Sequence, residues 1–333
     1  MRRAVCSGVA KLIFVCQSHL RFMMGGTEET GWTSRVTDKS VIEATLARVR
    51  ERLADLDTER CALQREMEAL EARLAVEHSP AVKQPAYENA TVTNASPSHE
   101  KVDLFRRLFA GRPDVFPLRW ENRKTGRSGY SPACANEWVS GICGKPKVKC
   151  GDCLHQKFIP PNEVVIEKHL RGDDGRGADF VAGVYPLLPG DTCWFLAADF
   201  DKASWAEDAN ALLETCRGKG VPAALERSRS GNGGHVWIFF SQPISARLAR
   251  QLGSVLITET MERRPEIGFA SYDRLFPNQD TMPIGGFGNL IALPLQNTAR
   301  KVGNSVFVDA DMQPHDDQWA FLSSLPRMPM AAV

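Results

Sequence analysis

The segment Cys193–Asp201 has the sequence CWFLAADFD, and we expect the rest of the globular chain to be organised around it. Its apolar run follows a Pro-Gly-Asp turn at 189–191, and this pattern predicts a buried β-strand. Side chains two residues apart on a strand point to the same face, so Asp199 and Asp201 project together from the strand's end. Two neighbouring carboxylates repel each other unless a cation lies between them, which favours a Mg²⁺ or Mn²⁺ site. The alternative is one Asp that caps the next helix and another that lies in a turn.

Composition limits the class of protein. The chain has 333 residues, 43% hydrophobic and 24% charged, with a formal net charge of +1. This length suits one large domain or two ordinary ones. The balanced charge argues against a purely electrostatic DNA-binding protein. No apolar run approaches the ~20 residues that a membrane helix needs, and residues 1–17 lack a clean signal-peptide cleavage site. We therefore expect a cytoplasmic protein with no membrane partner.

The N-terminal part shows a change of pattern. Residues 1–39 have no consistent periodicity, and we expect them to be disordered or to precede the true start. Ser40–Glu43 matches a capping box that opens a helix. Apolar residues then recur at alternating steps of four and three, and only Arg60 interrupts this seam. The pattern predicts a coiled coil over 40–77 that self-associates or pairs with a partner; one helix packed on its own domain is the alternative.

Residues 78–100 are rich in Pro, Asn, Ser and Thr, which predicts a linker before a globular domain at 101–333. Near the start of this domain, the run FPLRWENRKTGRSGY interleaves cations with Trp120 and Tyr130. Cations combined with aromatic faces suit a nucleic-acid strand, whereas an ordinary solvated loop would have the same composition. The candidate nucleic-acid-binding cations are Arg119, Arg123, Lys124 and Arg127.

The nine cysteines do not form an even disulfide framework, but four of them cluster with the spacing C-x8-C-x6-C-x2-C. The last pair can form a knuckle that presents two thiolates to one Zn²⁺, and the first pair would complete a tetrahedron. Four protein ligands leave no open position, so we expect a structural zinc knuckle over 134–153, with His155 as a spare ligand. Unligated core thiols are the alternative. The four cysteines are Cys134, Cys143, Cys150 and Cys153.

A second informative stretch, ERSRSGNGGHVWIFF, runs from Glu226 to Phe240. Its Ser and Gly residues form a loop able to hold phosphates through backbone N–H groups, and His235 begins the next strand with its ring over that loop. A structural histidine is the alternative. The loop does not match a Walker A or dinucleotide fingerprint. The candidate nucleotide-binding residues are Arg227, Ser228, Arg229, Ser230, Gly231 and His235.

A third stretch, SYDRLFPNQD at 271–280, supplies Asp273 and Asp280 as further carboxylates. We expect Asp273 to join the metal site because it directly follows the aromatic strand residue Tyr272. A residue there is held more rigidly than one in the Pro-Asn turn before Asp280, which we expect to be structural.

The order of these motifs resembles the archaeo-eukaryotic primase superfamily: an acidic D-x-D strand, a Ser/Gly loop that ends in a His-strand, and a third carboxylate. More narrowly, four segments resemble the primase domain of the TOTE conflict systems over residues 102–325. These segments are ACANEWVSGICGKPKVKCGDC, LAADFD, ERSRSGNGGHVWIFF and SYDRLFPNQDTMPIGGFGNLIALPLQ.

The resemblance implies an α+β fold: an RRM-like antiparallel catalytic sheet flanked by helices, with a zinc-knuckle insertion and a preceding coiled coil. It implies a DNA-dependent primase or polymerase-like nucleotidyltransferase of a mobile-element conflict or defence system, which uses two divalent Mg²⁺ or Mn²⁺ ions and NTP or dNTP. Asp199, Asp201 and Asp273 would be the metal ligands and catalytic carboxylates. Ser230 and His235 would contact the nucleotide, His235 as a catalytic residue.

The chain departs from the family pattern in three ways. The spacing from Ser230 to His235 is longer than the Ser-x-His of many primases, and Asn232 stands where some relatives have a lysine. Family members are often fused to a helicase and sometimes to a nuclease, so we expect such a partner in trans, or a chain that is a fragment. A metal-dependent nuclease and a non-catalytic zinc-containing nucleic-acid-binding subunit are the alternative functions.

Overall fold

The computed structural model describes residues 34–77, 87, 89–122, 124–265 and 270–333. The chain divides into two compact units, Met1–Val82 and Lys83–Val333. Within the described residues, no helix combines the length and the apolar character needed to span a bilayer.

In the first unit, one helix is described, α1 (Ser34–Glu77). This helix begins before the capping box at Ser40. Residues 34–39 therefore belong to the helix, and the predicted helix start at residue 40 is wrong. No Gly or Pro interrupts this stretch, and Lys39 pairs with Glu43 at 3.8 Å across the expected start. The prediction of disorder for residues 1–33 lies outside the described residues. The apolar seam of α1 is about half exposed, with Leu53 at 59%.

Six further α-helices are described in the second unit: α2 (Ser98–Leu108), α3 (Glu163–Arg171), α4 (Trp205–Gly218), α5 (Ala246–Arg263), α6 (Asn297–Arg300) and α7 (Gln318–Ser324). Nine strands are described with them: β1 (Pro117–Asn122), β2 (Arg127–Pro132), β3 (Gly183–Val184), β4 (Thr192–Asp201), β5 (Ala224–Arg227), β6 (Gly233–Ser245), β7 (Tyr272–Phe276), β8 (Ile291–Ala292) and β9 (Val306–Val308). This mixture of helix and sheet confirms the α+β class.

The central sheet has the order β7-β4-β6-β5-β9, and all of its pairings are antiparallel. Along the chain, its first six elements follow the order β4-α4-β5-β6-α5-β7, which is a β-α-β-β-α-β unit. The predicted strand Cys193–Asp201 is therefore β4. It lies inside the sheet because its apolar side chains are buried on both faces, as a continuous apolar run predicts.

The two faces of the sheet are covered differently. Helices α4 and α5 pack on β4 and β6 from one side. On the other side, Phe109 at the end of α2 lies with its ring centroid 5.1 Å from that of Trp237 and 5.4 Å from that of Phe239. This aromatic cover reaches the middle of β6 and leaves the end of β4, with its two aspartates, for polar side chains.

The predicted linker 78–100 is partly wrong. Its residues 78–86 and 88 lie outside the described residues, and α2 already begins at Ser98. Between them, Val92 is buried and its N–H donates to Ser323 Oγ at 3.2 Å, while the Tyr87 hydroxyl lies 3.0 Å from His315 Nδ1. The described part of this segment is attached to the domain because Val92 is buried and bonded to Ser323 of α7, and Tyr87 contacts His315 just before that helix.

The basic-aromatic run lies in the antiparallel hairpin β1–β2. Farther along the chain, the antiparallel pairing of β8 with β3 is continued by the Leu293 N–H, which donates to Ala182 O, and Leu295 then has a left-handed φ of 64°.

Candidate active site

Three carboxylates meet at one end of the central sheet. On β4, Asp199 lies opposite His235 and Asp201 lies opposite Gly233. Carboxylate oxygens of Asp199, Asp201 and Asp273 all lie within 4.8 Å of one another. Within the described part of the chain, no other group of three or more His, Cys, Asp or Glu side chains has its ligand atoms within this distance of one another. The structure thus brings together the three aspartates that the sequence selected.

A β-bulge places Asp273 in this cluster. In the pairing of β4 with β7, Asp199 is opposite Arg274 and the next residue, Phe200, is opposite Tyr272. Asp273 is therefore the extra residue of β7. A bulge turns a side chain out of the normal alternation, so Asp273 and Arg274 both reach the face that carries Asp199. The Arg274 Nε donates to Asp273 Oδ2 at 2.6 Å.

Gly233 is required by the close packing beside the cluster. A Cβ atom there would lie 2.5 Å from the Phe200 carbonyl oxygen and 2.6 Å from Asp201 Oδ1. Contacts this short do not occur, so any side chain at 233 would displace the Asp201 carboxylate. The glycine that ends the phosphate-type loop therefore also fixes the position of one carboxylate.

A buried acid holds His235. The Nδ1 atom of His235 lies 2.7 Å from Glu226 Oε2, and its Nε2 atom lies 3.5 Å from Asp199 Oδ1. The Trp237 Nε1–H donates to the same Glu226 oxygen at 3.2 Å. Glu226 is only 2% exposed. This arrangement fixes the ring plane and directs Nε2 toward the carboxylate cluster.

The electrostatics follow from burial and from the shared negative charge. Burial raises the pKa of Asp199 to about 6; His235 opposes this, whereas Asp201 and Asp273 add to it. Burial by itself lowers the pKa of His235, but the charge and hydrogen bond of Glu226, with Asp199 and Asp201, raise it above its ordinary value. The cluster therefore holds negative charge that a cation would stabilise.

The loop 228–232 lies next to Asp201, between β5 and β6. Its backbone N–H groups are largely used inside the loop: Gly231 N donates to Ser228 O at 3.0 Å, and Asn232 N donates to Ser230 Oγ at 3.2 Å. The hydroxyls of Ser228 and Ser230 lie 3.1 Å apart. The expected backbone cradle is thus partly occupied, and the hydroxyls and the Arg229 side chain are the groups better placed for a ligand.

The structure separates Arg227 from the other loop candidates. Its guanidinium donates to the Gly303 carbonyl at 2.9 Å and to the Met312 carbonyl at 2.5 Å. Adjacent strand residues point to opposite faces, so Glu226 faces His235 and Arg227 faces away. We therefore correct its expected nucleotide-binding role: this arginine braces two loops of the domain.

The alternative third carboxylate, Asp280, lies outside the cluster and forms an ion pair with Arg250. Another acid of the C-terminal region, Asp309, accepts the N–H groups of Asp311 and Gln313 in a turn. Both carboxylates are thus already engaged, which agrees with the structural role expected for Asp280.

The four clustered cysteines and His155 line one small cavity of about 20 Å³. Cys134 is brought to the last pair because it bridges to Phe158, and Lys157 N–H donates to Cys134 Sγ at 3.3 Å. The His155 N–H donates to Cys153 Sγ at 3.4 Å. No three of the four sulfur atoms lie within 4.8 Å of one another.

The predicted nucleic-acid cations have different surroundings. Lys124 and Arg127 are exposed at the turn of the β1–β2 hairpin, whereas the Arg119 side chain is 14% exposed and pairs with Glu121 at 3.0 Å. Arg123 lies outside the described residues. The charges of Arg229 and Arg119 act on Tyr130, whose pKa is raised by its burial. One face of the hairpin therefore borders the loop 228–232.

Sequence reasoning missed Glu226 and Arg274 as members of the site. The signal for Glu226 was available, because an acid within an apolar strand must find a partner. The signal for Arg274 was not, because its position depends on the bulge.

The family model described as TOTE conflict system, Archaeo-Eukaryotic Primase domain, matches residues 100–333. No curated protein matches the chain.

Proposed function

Because the chain belongs to the TOTE conflict-system archaeo-eukaryotic primase family, we propose that it is a primase-polymerase-like nucleotidyltransferase that extends or begins a strand on a DNA template. The observation that carries this proposal is the meeting of Asp199, Asp201 and Asp273 beside His235 and the loop 228–232. Such a site combines a place for cations with a place for phosphates. The β-α-β-β-α-β sheet supports the RRM-like description of the catalytic domain.

The donor set fits Mg²⁺ or Mn²⁺. Three carboxylates within 4.8 Å offer only hard oxygen ligands, which these ions prefer. Burial, together with the neighbouring Asp201 and Asp273, raises the pKa of Asp199, and a bound cation would favour its charged form. Asp199, Asp201 and Asp273 would hold two divalent ions, which supply charge stabilisation for the attacking and leaving oxygens.

In the reaction, the 3′-hydroxyl of the growing strand attacks the α-phosphorus of an NTP or dNTP. A phosphodiester bond forms, the bond between the α- and β-phosphates breaks, pyrophosphate leaves and the hydroxyl proton passes to solvent. Ser230 and Arg229 bind the triphosphate from the loop, and His235 donates to it from Nε2. Glu226 acts as a positioning residue, because it holds the His235 ring through Nδ1.

The hairpin β1–β2 is the proposed template-binding element. Its exposed Lys124 and Arg127 suit backbone phosphates, and the opposite face borders Arg229. Arg119 contributes less to such a surface because it is mostly buried and paired with Glu121.

We propose a structural Zn²⁺ at Cys134, Cys143, Cys150 and Cys153. The shared cavity and the N–H groups aimed at two sulfur atoms support it. A tetrahedral site with Zn–S bonds of ~2.3 Å brings sulfur atoms to about 3.8 Å of each other. The sulfurs must therefore move together when the ion binds, and they lie in a segment made largely of turns.

The helix α1 is proposed to pair with a second copy as a coiled coil. Its seam residues Leu46, Val49, Leu53, Leu56 and Leu63 are each between 45% and 59% exposed. An apolar seam of this kind is stabilised when another helix covers it. Within the helix, Arg60 at the break of the seam pairs with Asp57 at 3.2 Å. A helicase or nuclease acting in trans remains the proposed protein partner in a cytoplasmic conflict or defence system.

A primer-synthesis assay tests the proposal. The protein is incubated with Mn²⁺, a labelled single-stranded DNA and either NTPs or dNTPs. Products longer than the input are expected, and the comparison of the two nucleotide sets gives the sugar preference. Shortened products in the absence of nucleotides would instead identify a nuclease, and tight DNA binding without any product would identify a non-catalytic subunit.

A further inference from the structure

An exposed tryptophan lies flat on the outer face of the β1–β2 hairpin. Trp120 pairs with Gly129 across the two strands. A Cβ atom at Gly129 would lie 2.9 Å from the indole Cζ2 and 3.4 Å from its Nε1. One face of the indole therefore rests on the glycine backbone, and Trp120 is nevertheless 45% exposed. The ring is held in place from below and open to a ligand from above.

A second exposed tryptophan follows in the cysteine-containing segment. Trp138 is 67% exposed and has a left-handed φ of 61°, a conformation that is uncommon for a bulky residue. The Lys145 Nζ lies 5.7 Å from the centre of its ring. Ser131 Oγ donates to Glu137 Oε1 at 3.1 Å. Ser131 is on the same hairpin face as Trp120, so this bond ties the segment that carries Trp138 to that face.

The charge around the two indoles is positive, although the chain as a whole is nearly neutral. Residues 119–157 contain eight Lys or Arg side chains and three acidic ones, against a net charge of +1 for the whole chain. The exposed cations include Lys124 and Arg127 on the hairpin and Lys147 and Lys149 beside the cysteines. Exposed aromatic faces among cations suit an unpaired strand, in which bases stack on the rings and phosphates contact the cations. An apolar protein partner would not require this excess of positive charge.

We propose that Trp120 and Trp138 are stacking platforms for unpaired bases of a single-stranded nucleic acid, with the surrounding lysines and arginines holding its phosphates. The inference rests on the proposed function for the nature of the substrate, and it adds where that strand is bound. It also predicts a preference for single strands, since paired bases already stack on each other and offer no free face.

The test is fluorescence anisotropy of a labelled 20-nucleotide DNA with the full chain, without metal or nucleotides. Trp120→Ala and Trp138→Ala are each expected to weaken binding roughly 5- to 150-fold, and Trp120→Phe, which keeps an aromatic face over Gly129, is expected to retain most of it. Val255→Ala removes an exposed apolar side chain on α5 and is the matched control. Binding to the same sequence as a duplex is expected to be weaker and unaffected by the substitutions.

Intrinsic fluorescence supplies a second measurement that does not depend on the alanine variants folding normally. Added oligonucleotide is expected to quench the wild-type protein, and a variant with both Trp120→Phe and Trp138→Phe is expected to lose that quenching. A DNA affinity within twofold of wild type for both alanine variants would overturn the inference, and so would an equal loss of affinity in Val255→Ala. A protein ligand that competes for the indoles while DNA does not would also overturn it. Normal primer synthesis by both alanine variants would overturn this inference alone; tryptophan-dependent binding without synthesis would overturn only the proposed function.

Discussion

Replacement of Glu226 tests whether this buried acid stabilises the site through its hydrogen bonds to His235 and Trp237. Glu226 is 2% exposed and accepts hydrogen bonds from His235 Nδ1 and Trp237 Nε1 through the same oxygen. In Glu226→Gln the shape is kept, but the charge is lost. In Glu226→Ala both donors lose their acceptor inside the protein. We expect the alanine variant to be clearly less stable than the glutamine variant.

The magnitudes follow from these two bonds. A hydrogen bond to a charged group contributes about 1.5–3 kcal/mol and a neutral one about 0.5–1.5 kcal/mol, so Glu226→Gln should cost about 1–2 kcal/mol. Each buried donor left without a partner costs about 1–3 kcal/mol, so Glu226→Ala, which leaves two of them, should cost about 2–6 kcal/mol in total. Trp237→Phe in the Glu226→Ala background removes one of these donors, and the pair should therefore show a coupling energy of at least about 0.5 kcal/mol.

The measurement is urea unfolding at pH 7.5 without metal, with the free energy of unfolding compared at an unchanged slope. Glu262→Gln removes the charge of an exposed glutamate at the end of α5 and should change stability by less than about 0.5 kcal/mol. A Glu226→Ala variant as stable as the wild type would refute the reasoning. So would additive effects of the Glu226 and Trp237 substitutions, because the structure has them share one hydrogen bond.

Three further predictions concern zinc, pH and self-association. Purified protein should carry about one zinc per chain by elemental analysis and lose it with Cys150→Ser; stoichiometric zinc after removal of both Cys150 and Cys153 would contradict the site. Burial lowers the pKa of His169 to about 4, so only the unfolded chain takes up a proton as the pH falls from 6.5 towards 4. Urea unfolding should then show a loss of about 3 kcal/mol that is absent in His169→Gln, and equal pH slopes in both proteins would argue against it. Leu56→Glu on the seam of α1 should lower the mass measured by light scattering, whereas Arg48→Glu off the seam should not; equal masses would exclude the coiled coil.

The central strand and its two aspartates were predictable because both depend on local pattern. A continuous apolar run predicts a buried strand, and a period of two places Asp199 and Asp201 on one face, as found. The position of His235 opposite Asp199 required only that the Ser/Gly loop lead into a neighbouring strand. These features need no knowledge of distant pairing.

For the third carboxylate, the local argument selected the residue that lies in the cluster, but it did not include the feature that places it there. Asp273 was chosen for the rigidity of its strand, but the bulge between β4 and β7 is what turns it toward Asp199. A bulge is a property of register between two strands, and no spacing within one of them encodes it. Arg274 could not be foreseen for the same reason.

The sequence indicates that Glu226 and Arg227 face opposite sides of their strand, but only Arg227 was selected as a site residue. Both belong to the strand that enters the phosphate-type loop, and adjacent strand residues face opposite sides. Once His235 is placed on one face, only one of the two can accompany it. The structure selects Glu226, and Arg227 binds the carbonyls of Gly303 and Met312 instead.

The most direct test of the account is primer synthesis by Asp199→Asn beside Asp280→Asn, each assayed with Mn²⁺, a single-stranded DNA template and labelled nucleotides. Both variants lose one carboxylate charge, but only Asp199 lies in the cluster, whereas Asp280 pairs with Arg250. Because ions held by the cluster are asked to supply several kcal/mol of charge stabilisation, Asp199→Asn should reduce synthesis by at least roughly 100-fold. Asp280→Asn should leave it at the wild-type level. Wild-type synthesis by a folded Asp199→Asn variant would contradict the claim that this chain performs metal-dependent nucleotidyl transfer at the three aspartates.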